Sequence, residues 1–202
     1  MPVLVKNSIL IGFLTGMSVV GLAAQQINFG LFAGQDITLT AVTDELDFNT
    51  KQPLIVPGSN DVVTIDYLTD QPAVLTIAGQ ADLDVTVTLT VPTHLELNGG
   101  EETDKIPVSF QFAYSNKGSV DLASAKTAAI PVTSGIYSAT FQIKQRATGT
   151  RAVPPTPRHG GYTPPTATAY LFIYGALGPV GVVGSGLYEG TINVSVEYSS
   201  YD

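Results

Sequence analysis

Apolar and polar residues alternate one by one along most of the chain, the period-two pattern of strands that turn one face to a core and the other to water. The clearest case is residues 186–198, where Ile192, Val194, Val196 and Tyr198 alternate with Thr191, Asn193, Ser195 and Glu197. Gly186 and Gly190 permit a tight approach to this run, and Tyr188 is placed to close a core beneath the turn. The run therefore predicts the final strand of a sandwich. Comparable runs predict strands near residues 27–33, 36–42, 62–67, 74–78, 85–92, 108–114, 137–143 and 167–174, with Val85, Val87, Leu89 and Val91 marking a central core strand. Pro and Gly clusters punctuate the turns between them. Residues 95–105 read as a polar loop, and the small residues that follow Gly118 read as an irregular stretch leading through Pro131 to Gly135. No segment shows helical periodicity, so the pattern predicts an all-β antiparallel sandwich of about eight strands.

The first 24 residues break the pattern. Lys6 precedes an apolar run from Ile9 to Leu22, which ends in the small residues Ala23 and Ala24. This is the layout of a signal peptide. The run is short and holds Gly12, Thr15, Gly16 and Ser18, which suits it poorly to a spanning helix of about 20 apolar residues. The expectation is export with cleavage after Ala23 or Ala24, leaving no membrane span; a retained anchor helix is the alternative.

The closing strand carries more than a period. Its spacing Gly186-x-Tyr188-x-Gly190-x-Ile192-x-Val194-x-Val196-x-Tyr198 resembles the last strand of a family of secreted bacterial immunoglobulin-like domains of unknown function, related in style to pilus and fimbrial subunits. The resemblance covers most of residues 36–198. Leu46-x-Phe48 stands where the family usually reads Leu-x-Phe-Gly, with Asn49 in place of the glycine, and the order of apolar strand, Gly79 turn, Val85-x-Val87-x-Leu89 and Pro92 follows the family's middle section. The resemblance implies an immunoglobulin-like antiparallel β-sandwich. The chain then divides into a signal peptide (1–24), an N-terminal extension or donor strand (25–34), and a sandwich domain (35–202) interrupted by a Pro-rich loop at 145–166.

Composition narrows the function classes. A net charge of −8, one unit more negative once Lys6 is removed, argues against a nucleic-acid groove or an anionic membrane as partner. The chain has no Cys, so neither disulfides nor thiolate chemistry contribute. His94 and His159 lack paired ligand spacing, and the acidic cluster Glu101, Glu102 and Asp104 matches no calcium-loop spacing. Gly184-Ser185-Gly186 is not a nucleophile elbow, and the glycines from 181 to 190 lie between strands rather than at a helix start. No enzyme, metal site or cofactor is expected.

Two stretches remain as candidate contact sites. The loop at 145–166 holds Pro154, Pro155, Pro157, Pro164 and Pro165, so it is no central strand, and Lys144, Arg146, Arg151 and Arg158 gather around it. Arg151, Arg158 and Tyr162 are its candidate contacts. At the mature N-terminus, Ile27, Phe29 and Leu31 form a row of apolar pegs able to add to the edge of a neighbouring sheet or to pair within their own sandwich. Together with the resemblance and the export signal, these features lead to an expected self-associating subunit of an extracellular filament or cell-surface assembly. The alternative is an adhesion module that binds a glycan or host surface through Tyr162, Tyr170 and Tyr174 as stacking platforms. Intact-mass measurement of cell-surface material should find Ala24 or Gln25 as the first residue, whereas retention of Met1 would reject cleavage.

Overall fold

Strands with one apolar face need a second apolar surface, and in this chain two sheets cover one another. The computed structural model describes residues 32–33, 37–52, 55–56, 58–100, 104–146 and 165–199. In chain order the strands are β1 (Phe32–Ala33), β2 (Thr38–Thr43), β3 (Val63–Ile65), β4 (Ala73–Gln80), β5 (Asp84–Thr90), β6 (His94–Leu97), β7 (Lys105–Ser115), β8 (Ile130–Pro131), β9 (Ser138–Gln142), β10 (Thr166–Leu177), β11 (Tyr188–Glu189) and β12 (Asn193–Tyr198). A 3-10 turn at Phe48–Thr50 and one α-helix, α1 (Leu122–Thr127), complete the described elements.

The fold is mostly β and antiparallel. A small sheet runs β1-β12-β5-β9, and a larger one runs β11-β6-β7-β10-β4-β2 with β3 beside β10 and β8 beside β7. The six-strand path curls strongly into a half-barrel. One core lies between it and the small sheet, drawing Val85 and Val87 from β5, Val194 and Val196 from β12, Phe112 from β7 and Leu171 from β10. The curl departs from two flat layers, so the architecture is not clearly the immunoglobulin-like sandwich that the closing motif implies.

The closing run is two strands, not one. β11 pairs Tyr188 and Glu189 with Leu97 and Glu96 of β6 in the larger sheet, while β12 pairs with β5 in the small sheet, from Asn193 opposite Thr90 to Tyr198 opposite Val85. Its partner crosses as well, since β5 leads through residues 91–93 directly into β6. At the crossing residues 91–95 face residues 190–192, an unequal pairing that bends both strands as a bulge does. Pro92 and Gly190 meet there: a Cβ on Gly190 would lie 2.7 Å from Leu95 Cδ2 and 3.1 Å from Pro92 Cγ. Tyr188, Ile192, Val194 and Val196 are all buried, so the alternation survives the bend and conceals it in the sequence.

Two further expectations need correction. Residues 94–97 form β6, with buried Leu95 opposite Ile106 and His94 opposite Pro107, so the polar loop predicted at 95–105 opens with three residues of strand and ends at the first residue of β7. Its polar residues face outward at a sheet margin, where alternation over so short a run resembles a loop. The stretch after Gly118 holds α1, missed because a six-residue helix shows little more than one turn of period. The Asp121 side chain accepts from the Ser124 N–H at 2.7 Å and caps the helix start.

So short a helix depends on tertiary support. Ala125 is fully buried with Val74, Ala113, Phe172, Tyr67 and Tyr174 in a second cluster on the outer face of the larger sheet. β10 is therefore apolar on both faces, with Ala169, Leu171 and Ile173 inward and Phe172 and Tyr174 under the helix. Lys126 Nζ donates to the Asp70 carbonyl at 2.8 Å. The Asp70 carboxylate in turn accepts from the Asp66 N–H at 2.9 Å and from Lys51 Nζ at 2.6 Å, which joins the 3-10 turn, the β3–β4 connection and α1.

Those bonds hold the Asp70 carboxyl below its ordinary value of 3.8, first through the Asp66 N–H and then through Lys51. A depressed carboxylate stabilises the fold above its unfolded pKa, and the stabilisation is lost as pH falls through the folded pKa. Asp70→Asn should therefore lower the urea midpoint at neutral pH, and the gap from the parent should close below about pH 4. Gly175 on β10 gives a second test, because a Cβ there would lie 2.1 Å from the Ser109 backbone carbonyl oxygen. Backbone does not move aside as Leu95 can, so Gly175→Ala should cost about 1–3 kcal/mol, while Gly190→Ala should cost less. Denaturation midpoints at unchanged m-value check both.

Candidate functional site

Ile27, Phe29, Leu31, Arg151, Arg158 and Tyr162 all lie outside the described residues. The structure does describe the chain on which they are mounted. The N-terminal row leads into β1, which runs parallel to β12 with Phe32 opposite Ser195 and Ala33 opposite Val196. β12 is paired with β5 from Asn193 to Tyr198 along its other side. Among the described residues, then, the outer edge of β12 has partners at Ser195 and Val196 alone.

The Pro-rich segment is mounted at the opposite end. The Lys144 N–H donates to the Ala81 carbonyl at 3.2 Å, and the Ala81 N–H donates to the Pro165 carbonyl at 2.9 Å. Both feet of the segment are thus fastened to one residue of the β4–β5 turn. Arg146 adds a bond to the Asp82 carbonyl at 3.0 Å.

At the corner end lies a pocket of about 320 Å³. Phe48, Ile55, Leu95, Ile106 and Leu177 form its floor, and Val180, Val183 and residues 184–188 form its rim. Gly184 holds that rim in place: its N–H donates to Asp104 Oδ1 at 2.8 Å, and its carbonyl accepts from the Tyr188 hydroxyl at 2.7 Å. Burial raises the Tyr188 pKa above its ordinary value and the Asp104 charge adds to this, so the hydroxyl remains a donor at neutral pH. The pocket is near the small end of the range for ligand sites.

Carboxylates surround this end. Glu189 stands directly opposite Glu96 across the β11–β6 pair, a like-charge neighbour that disfavours the pairing. Lys105 Nζ, 3.0 Å from Glu96 Oε1, compensates one of them. On the outer face, Pro92, His94, Glu96, Glu189 and Thr191 border a more open hollow of about 540 Å³, where His94 Nδ1 lies 2.9 Å from Thr93 Oγ1. Among the described residues no three His, Asp or Glu side chains come together in a way that could hold a metal ion.

Of the stacking platforms expected at Tyr170 and Tyr174, the second is buried and the first half-buried. Tyr174 is buried against Tyr67 with ring centroids 4.9 Å apart, and Tyr170 is half-buried beside Phe172. Their hydrophobic alternation was legible, but the covering helix that makes their face an interior one was not. The pocket was missed as well. Its rim is the glycine-rich connection before the closing run, and the available signal was the recurrence of Val180, Val183 and Leu187 within it.

No family model matches this chain, and neither a curated protein nor a solved structure matches it. The likeness to secreted immunoglobulin-like domains therefore rests on the motif residues themselves.

Proposed function

We propose that this chain is an exported structural subunit that assembles with copies of itself into an extracellular filament or surface layer, joined by addition of a strand from residues 25–33 to the outer edge of β12. The observation that carries the reading is the parallel seat of Phe32 and Ala33 on Ser195 and Val196 within one chain, which shows that the outer edge of β12 accepts a strand from this part of the sequence. An open edge presents N–H and C=O groups that a further strand satisfies. In an extended chain Phe29 and Leu31 share the parity of Ala33. Ala33 is aligned with Val196, which is buried together with Val194 and Ile192, and a donated row of apolar pegs would add to that core-facing side of β12. Each apolar peg so buried contributes roughly 1.5–3 kcal/mol.

The export signal and the resemblance of the closing strand to pilus- and fimbria-like domains support the same reading. The immunoglobulin-like assignment belongs with it, supported by two sheets around one core and by the pairing of the first strand with the last. The glycan-binding alternative loses Tyr174 to burial, while Tyr170 stays half-buried.

The joining strand is supplied in trans under this proposal. Deleting residues 25–33 should then leave a folded chain, with its cooperative thermal transition retained, that no longer forms ordered polymers in electron micrographs. An unfolded deletion variant would assign the strand to its own core and overturn donation. Phe29→Asp should weaken the polymer in the same direction, since it places a charge where an apolar side chain is needed.

A further inference from the structure

The turn that leaves β6 carries chemistry that the self-assembly reading does not use. Of the asparagines in the chain, Asn98 alone is followed by a glycine. Asn98 and Gly99 form the centre of a β-turn, closed by the Gly100 N–H donating to the Leu97 carbonyl at 3.1 Å, with Gly99 at a φ of +72°. Both residues are exposed, and a Cβ built on Gly99 meets no atom within 4 Å. Among the described residues neither the Asn98 carboxamide nor the Gly99 N–H has a hydrogen-bond partner. We infer that Asn98 is a site of spontaneous deamidation, in which the Gly99 backbone nitrogen attacks the side-chain amide and leaves aspartate or isoaspartate at position 98.

The reaction needs only this turn and water. The Gly99 nitrogen gives its proton to solvent and bonds to Asn98 Cγ, the Cγ–Nδ2 bond breaks, and Nδ2 takes up a proton and leaves as ammonia. Water then opens the cyclic succinimide. Attack at Cγ yields aspartate, whereas attack at the main-chain carbonyl carbon leaves the chain routed through Cγ as isoaspartate, and nothing is oxidised or reduced. Nucleophile and electrophile belong to adjacent residues, so the first step is intramolecular and gains effective concentration. A side chain on the following residue crowds that attack, and glycine has none. Other asparagines lack these conditions: Asn116 is buried with its Nδ2 donating to the Gln142 carbonyl at 2.9 Å, and Asn193 lies within β12 ahead of the branched Val194.

The position of Asn98 gives the reaction a structural consequence. Asn98 borders the outer hollow together with Glu96 and Glu189, so either product brings a further carboxylate to two like charges already opposed across β6 and β11. Isoaspartate also inserts a carbon into the main chain of the turn that the Gly100–Leu97 bond closes. The Asn98 N–H itself donates to the Leu187 carbonyl at 2.8 Å, which extends the pairing of β11 with β6 beyond Tyr188 and Leu97. Deamidation therefore loosens the margin where β11 joins the larger sheet. None of this requires a second copy of the chain.

Peptide mapping by mass spectrometry of the folded, full-length protein, sampled over several weeks in buffer, tests the inference. The peptide containing Asn98 should gain the mass of an oxygen in exchange for NH and split into two chromatographic species, one of them a substrate for isoaspartyl methyltransferase. The rate should rise roughly tenfold or more between about pH 6 and about pH 9, because the attacking species is the deprotonated amide nitrogen. Asn98→Gln, whose longer side chain demands a larger ring, should show no gain in the same interval; if that variant fails to fold, Asn116 and Asn193 of the parent serve as references that stay unmodified. Hydrogen exchange over residues 94–98 and 187–189 should be faster in the aged parent than in fresh protein. No gain at Asn98, a gain only after denaturation, or an equal gain at Asn116 and Asn193 overturns the site. Modified protein with unchanged exchange in those two stretches overturns the loosening of β11.

Discussion

The corner at Pro92 and Gly190 is the constraint on which the remaining architecture depends. Two antiparallel strands pass through it together, so β5–β6 and β11–β12 each contribute to both sheets. A hydrogen-bonded pair that bends as a unit keeps its backbone groups satisfied through the crossing and turns two sheets into one curled surface. The core then needs no separate closure on that side. Close approach of Gly190 to Leu95 and Pro92 belongs to the same bend. Curvature of the larger sheet has a second source in Gly175, whose missing side chain lets the Ser109 carbonyl oxygen come near.

The curl leaves the larger sheet with an outer face, and that face determines where the helix goes. β10 carries Phe172 and Tyr174 outward, and β7 carries Ala113 beside them. Such a surface requires a cover, and α1 supplies it through Ala125 and Leu122. Helix and sheet are then fastened by polar contacts that converge on Asp70 from Lys51, Lys126 and Asp66. The small cluster and the polar hub together turn a chain of alternating strands into a three-layered arrangement over part of its area.

The same topology gives the molecule two unlike ends. The pocket and the carboxylates lie at the corner end, and Lys144 and Pro165, which flank the Pro-rich segment, are fastened at the far end beside Ala81. Nothing in the composition alone conveys this polarity. It follows from the antiparallel order of β7 and β10, which carries sequence neighbours to opposite ends of a strand.

Strand positions and core faces were legible in the sequence where one face meets water, as in β5, β7 and β12, because burial imposes period two directly on the residues. Leu75, Phe112 and Val194 sit inside as their alternation implies. Turn chemistry was a local property and could be read locally. Other features depended on what lies opposite. Residues 186–198 keep one alternation while serving two sheets, α1 exists because a particular sheet face needed covering, and Tyr174 became interior for the same reason. The sequence by itself determined which residues seek burial and how often they recur; only the tertiary structure decided against which surface, since alternation records that a side chain leaves water and carries no mark of the partner that replaces it.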